Sequence, residues 1–172
     1  DGTGEHDSWI LFDIEVGGGG ARYKKDGIDC WSQGIHNLAN TPIEMIEMVY
    51  PLRFTRYEFL PDTGGAGRKR GGLGVRRDIQ FLDKSGILET QFDKFKVEPF
   101  GLFGGKPGAK GQMFLNPDSA NPTQLKSKTT NKNLKNGDIF SMRTQGGGGY
   151  GPPSERSEAE IKSDLKLGKL TL

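Results

Sequence analysis

Cysteine and histidine are nearly absent from this chain, which has one Cys and two His in 172 residues. A lone Cys30 excludes an internal disulfide and cannot by itself build a thiolate metal cage. His6 and His36 stand in no spacing with carboxylates that defines a metal site, so no metal ligand is expected here. No base neighbours Cys30 in sequence, and no pattern of a catalytic triad is present. Long apolar runs are missing as well, which excludes a membrane-spanning helix. The first residues lack the basic and apolar regions of a signal peptide, and the expectation is a cytoplasmic protein. Charge of one sign is also lacking: 24 basic against 22 acidic residues give a net charge of +2, too small to imply a nucleic-acid partner.

What the chain has in excess is glycine, 27 residues, with 9 prolines and only 33% hydrophobic residues. Such a composition gives many turns and a modest core, yet recurrent Ile, Val, Leu and aromatic residues at strand-like spacing argue for a folded protein. The expected class is β-rich α+β, with a mixed or antiparallel sheet and glycine-rich loops. Residues 1–172 are expected to form one module.

Partial alternation in Ser8 to Val16 predicts a strand with one buried face, ended by Gly17 to Gly20. Pro42 to Val49 predicts a two-turn helix with Thr41 as N-cap, Pro42 at the first helical position and Glu44 capping back, stopped by Pro51. Leu52 to Leu60 and Val75 to Leu82 have strand character and are candidates to pair. Ile87 to Val97, Gly111 to Leu115 and Ile139 to Arg143 also read as strands. Residues 116–136 are polar and aperiodic, predicting an exposed loop with at most one short strand near Leu125 to Thr129. Ser157 to Leu167 predicts a helix with a Ser157–Glu160 capping box and Gly168 as its C-cap residue.

The segment Gly64 to Gly74, GGAGRKRGGLG, packs six glycines and three basic residues into eleven positions. Exposed amides at Gly65, Gly71 and Gly72 can in principle hold an oxyanion, while the plainer reading is tight turns and close packing. Arg68, Lys69 and Arg70 offer arginine forks for a carboxylate or phosphate, or a basic face at a subunit interface. Arg70, beside Gly71 and Gly72, is the leading candidate among them. Lys106 follows two glycines, but Pro107 stands where a nucleotide-binding loop needs Ser or Thr. Asn37, Asn40 and Glu44 can position a substrate amide or serve as turn and capping residues.

Six blocks in order carry a family resemblance: GGGGARYKKDG from Gly17, NLANTPIEMIE from Asn37, the turn and basic loop up to Gly74, PFGLFGGKPGAKG from Pro99, NGDIF from Asn136 and GGGGYGPPSER from Gly146. The chain resembles the C-terminal portion of the hydantoinase B/oxoprolinase family, which includes N-methylhydantoinase B, 5-oxoprolinase and acetone and acetophenone carboxylase subunits. Departures are mild: Thr63 stands where the family often has Ser, Phe100 where Trp is frequent, and Gln145 where Pro is common.

The resemblance implies a small or split subunit of an ATP-dependent, multi-subunit hydrolase that opens a cyclic amide through a phosphorylated intermediate. The alternatives are a subunit of an ATP-dependent ketone carboxylase, or a structural docking subunit of such a complex without catalytic residues of its own. ATP and a divalent metal are then bound mainly by other chains: a larger hydantoinase B-like chain and an ATP-binding hydantoinase A-like subunit. Within this chain, Arg70 and Asn37 are the catalytic candidates, and Arg68, Arg70, Gly65, Gly71 and Gly72 the candidates for substrate or phosphate binding.

Overall fold

A computed structural model describes residues 8–32 and 39–171. Helix α1 (Ile43–Val49) is followed by strands β1 (Leu52–Phe59), β2 (Val75–Phe81), β3 (Ser85–Gln91), β4 (Gln112–Leu115), β5 (Thr123–Leu125), β6 (Lys128–Lys135) and β7 (Ile139–Arg143), then helix α2 (Glu158–Lys166). Every strand pairing is antiparallel, in a five-stranded sheet of order β1-β2-β7-β4-β5 and a two-stranded ribbon β3-β6. The β-rich α+β class expected from composition is what the chain forms.

Alternation sets the two faces of the large sheet. Leu52, Phe81, Met113, Leu115, Leu125 and Met142 turn to one side and form the core with Ile46 of α1 and Leu134 of β6. A strand's side chains alternate between faces, so Arg76 and Asp78 of β2 point to the opposite side, where the Arg76 guanidinium donates to both carboxylate oxygens of Asp78. The strand β2 is thus buried on both faces, with Val75 and Arg77 toward the core side and the Arg76–Asp78 pair on the other.

Three local expectations are corrected. Residues 116–136 hold two strands, β5 and the eight-residue β6. Polar strands give no apolar period, and β6 is held by its ladder with β3, with Leu134 its one buried residue. Ser8 to Val16 forms no strand ladder. It is an extended arm fixed through side chains: Trp9 packs on Tyr50 and Phe81, with ring centroids 5.5 and 6.0 Å away, and donates its indole N–H to Asp83 at 3.0 Å. Helix α1 starts one residue later than expected, with Pro42 as N-cap and no side-chain capping bond; Glu47, not Glu44, turns back to accept from the Phe54 amide on the edge strand β1. At the other end, α2 has the expected capping box, Ser157 accepting from the Glu160 amide and Glu160 accepting from the Ser157 amide.

Candidate functional site

The glycine-rich loops converge into one body. Segment Gly146–Gly149 lies at its centre and hydrogen-bonds outward to a different neighbour at nearly every residue. The Gly147 amide donates to Gly72 O at 2.8 Å, the Gly149 amide to Lys106 O at 2.9 Å, and the Gly146 amide to Ala109 O at 3.1 Å. In return Gly147 O accepts from Gly65, Gly148 O from Ala21 and Gly149 O from Leu102. A sheet strand bonds only to its two flanking strands. Here five segments surround one, and only backbone without side chains approaches so closely: a Cβ on Gly147 would lie 2.0 Å from Gly19 O, and one on Gly71 1.9 Å from Gly147 O.

This packing spends the amides that a glycine loop would otherwise offer an anion. Gly65 donates to Gly147, Gly71 to Gly65 and Gly72 to Gly19, all within the bundle. Lys106 likewise donates its amide to Ala66 O. An oxyanion cradle needs such N–H groups free, and these are not free.

Arg70 is almost wholly buried, 3% exposed, in a network of three cations and three carboxylates. Its Nε donates to Asp164 and an Nη to Asp29, both at 3.3 Å, and the same Nη donates to Gly71 O. Arg156 forks onto Asp26 with two 2.8 Å bonds and reaches Asp164 at 2.6 Å; Lys169 donates to Asp29 at 2.7 Å. The charges cancel, as burial requires. Burial alone would raise the Asp26 carboxyl, but the bonds from Arg156 and the Arg70 amide hold it below the usual carboxylate range. The same balance, with Lys169, the Leu73 amide and Arg70 as donors, keeps Asp29 low. The network therefore ties the basic loop to the Asp26–Asp29 turn and to α2.

Arg68 lies nearer the surface, over the rings of Tyr23 and Tyr150 at 5.1 and 5.9 Å, donating to Tyr23 O and 3.9 Å from Glu155. Lys69 pairs with Glu160 of α2. The Asn40 amide meets the Tyr57 hydroxyl. Asn37 and both histidines lie outside the described residues. Burial and the neighbouring Asp29 charge push the Cys30 thiol up, and its Sγ sits 3.6 Å from Val16 O. Among the described residues, no group of three His, Cys, Asp or Glu is placed to hold a metal ion, and no helix is long and apolar enough to cross a membrane.

The arm carries what sequence reading missed. Its alternation is real but inverted: Trp9 and Leu11 pack against the core, and Asp13 and Glu15 both reach the buried Arg77. Ile10 and Phe12 point outward, 87% and 82% exposed. With Phe100 and Leu102 they line a cleft of about 1880 Å³ between the arm, the β3-β6 ribbon and the glycine bundle. Ligand pockets measure roughly 300–1,000 Å³, so this cleft has the scale of an interface. An apolar patch of this kind on a folded chain marks a contact surface. The only sequence signal was the apolar residues themselves, whose alternation does not say which face is buried.

Known proteins agree with this anatomy. Residues 1–153 match the family model for hydantoinase B/oxoprolinase. A protein of Pseudomonas sp. (strain NS671), named as the B component of a D-/L-hydantoinase, is 36% identical over 99% of this chain and 29% of its own length. The crystal structure of the ATP-dependent caprolactamase from Pseudomonas jessenii superposes with a TM-score of 0.80 at 27% identity, covering 91% of this chain and 28% of that one. A nucleotide-free acetone carboxylase shares the fold, with a TM-score of 0.75 at 19% identity over 91% of this chain and 25% of that one. The chain thus spans under a third of the length of these relatives. By sequence and fold, it belongs to the hydantoinase B/oxoprolinase family.

Proposed function

We propose that this chain is the glycine-bundle module of an ATP-dependent, multi-subunit enzyme that opens a cyclic amide, with ATP cleavage driving ring hydrolysis through a phosphorylated intermediate. Within it, the chain docks a larger hydantoinase B-like polypeptide along the arm and cleft. The outward apolar edge of the arm carries this reading, because Ile10 and Phe12, exposed among the described residues, would gain burial against another polypeptide surface. Family membership and relatives named as a hydantoinase component and a caprolactamase support the reaction class.

The residues singled out here do not suit ATP or a catalytic metal: the amides of Gly65, Gly71 and Gly72 are already donated, and the carboxylates of the Arg70 network are neutralised by arginine and lysine. Nucleotide and metal belong on the partner chains, among them an ATP-binding hydantoinase A-like subunit. Arg70 then acts as a positioning residue that holds the basic loop on its scaffold. The acetone carboxylase fold keeps ketone carboxylation as the second reading.

The test is to purify the native protein under mild conditions, identify every chain that stays with it, and assay ATP-dependent release of phosphate. N-methylhydantoin, 5-oxoproline and caprolactam are the cyclic amide substrates, and acetone with bicarbonate is the carboxylase arm. Ring opening coupled to phosphate release with a larger partner present is expected. Recovery of this chain alone, with no ATP-dependent turnover of either class, overturns the proposal.

A further inference from the structure

The sheet face opposite the core carries a guanidinium without a carboxylate. Arg143 ends β7, across from Arg76 of β2 and Gln112 of β4. On that face Arg76 is saturated by Asp78, and Arg56 reaches Asp78 and Asp118 at 3.7 and 3.4 Å. Arg143 makes no ion pair among the described residues, and its Nε is shielded from solvent without a hydrogen-bond partner. A half-buried cation without a direct ion pair is costly, and a shielded donor without acceptor adds to that cost. Burial, then the neighbouring Arg76, act against its charge, and the carboxylates of Asp78 and Asp118 offset this only in part.

The side chain is also held in place. Its guanidinium carbon lies 4.7 Å from the centre of the Phe114 ring, a cation–π contact that holds the side chain against β4. Beside it opens a depression of about 430 Å³, lined by Thr63, Glu98, Lys110, Gln112 and Arg143 among others. Glu98 also lines it, its carboxylate 3.8 Å from Lys110 at the rim. Lys110 is paired with Glu98, so Arg143 is the unpaired cation of the depression, with Gln112 beside it.

We propose that Arg143, stacked on Phe114 and bordered by Lys110 and Gln112, is a two-point seat for an oxyanion, either a carboxylate of a docking chain or a free carboxylate or phosphate. A planar fork matches such groups with two parallel N–H bonds. This site is separate from the arm and cleft, on the other face of the sheet.

The test uses the native protein with its accompanying chains, titrated with inorganic phosphate and with acetate by calorimetry. Three variants are compared with it: R143Q, R143K, and R53Q as a control at an exposed arginine of β1. For a free anion, wild type and R53Q bind phosphate or acetate alike, R143Q loses at least tenfold in affinity, and R143K, which keeps charge but not the fork, falls between. For a partner carboxylate, added anions find no vacancy, while R143Q weakens assembly at least tenfold and R53Q does not. If R143Q matches wild type in both anion binding and assembly, the proposal is overturned. The R143K result guards against loss of fold in R143Q, because it retains the charge and much of the stem.

Discussion

Replacing Gly147 with Ala tests the glycine bundle where it is tightest. The added Cβ would lie 2.0 Å from Gly19 O, 2.4 Å from Gly19 C and 2.9 Å from Gly20 N, all backbone atoms. Real Cβ atoms essentially never come closer than 3.0 Å, so one segment must retreat by 1.0 Å or more. That retreat pulls on the bonds from Gly147 to Gly72 O and from Gly72 to Gly19 O, each 2.8 Å long, in the buried centre of the bundle. Leaving two buried groups unpaired costs about 1–3 kcal/mol each, and overpacking adds about 1–3 kcal/mol. The sum, roughly 3–9 kcal/mol, is comparable with the whole stability of an ordinary domain, about 5–15 kcal/mol. Gly20 is the matched control: its Cβ would meet nothing within 4 Å, so G20A is expected to be neutral or slightly stabilising. Urea unfolding followed by circular dichroism on the native assembly compares the two. G147A is expected to unfold at much lower denaturant or to remain insoluble. A G147A unfolding free energy within about 1 kcal/mol of wild type would refute the close-packed bundle.

The capping box predicts that S157A costs about 1 kcal/mol, read as a lower urea midpoint, whereas E158A at the exposed first turn changes it little. In R70A, Asp29 and Asp164 lose a buried partner, so a loss of about 3–5 kcal/mol is expected; R70K, which keeps the charge, recovers part of it. Acid stability follows from Asp26 and Asp29, whose folded carboxyls titrate below their ordinary 3.8. Their contribution is complete above that value and is lost as pH falls through the lower folded values. R156Q removes the main donor to Asp26, so its unfolding midpoint on acid titration is expected at higher pH than that of wild type; an unchanged midpoint counts against the network.

Sequence alone determined the local elements whose signals are local. The capping box of α2, the stop of α1 at Pro51, the pairing of Leu52–Phe59 with Val75–Phe81 and the strand at Ile139–Arg143 all follow from caps, prolines and period-two apolar residues that interact within a short span. The family was legible in the order of six blocks, several of them glycine-rich, with close backbone contacts that leave no room for a Cβ at positions such as Gly71 and Gly147. Tertiary structure decided the rest. The strands within 116–136 exist because β3 and β4 supply ladders from elsewhere in the chain. Arg70 is an internal ion-pair residue because Asp29 and Asp164, 41 and 94 positions away, fold onto it. The arm shows the limit most directly: its alternation was visible, but which side faced the core depended on Arg77 taking Asp13 and Glu15 and on Trp9 finding Tyr50 and Phe81. Period in a sequence fixes how residues divide between two faces, and only the contacts made at long range fix which face is buried.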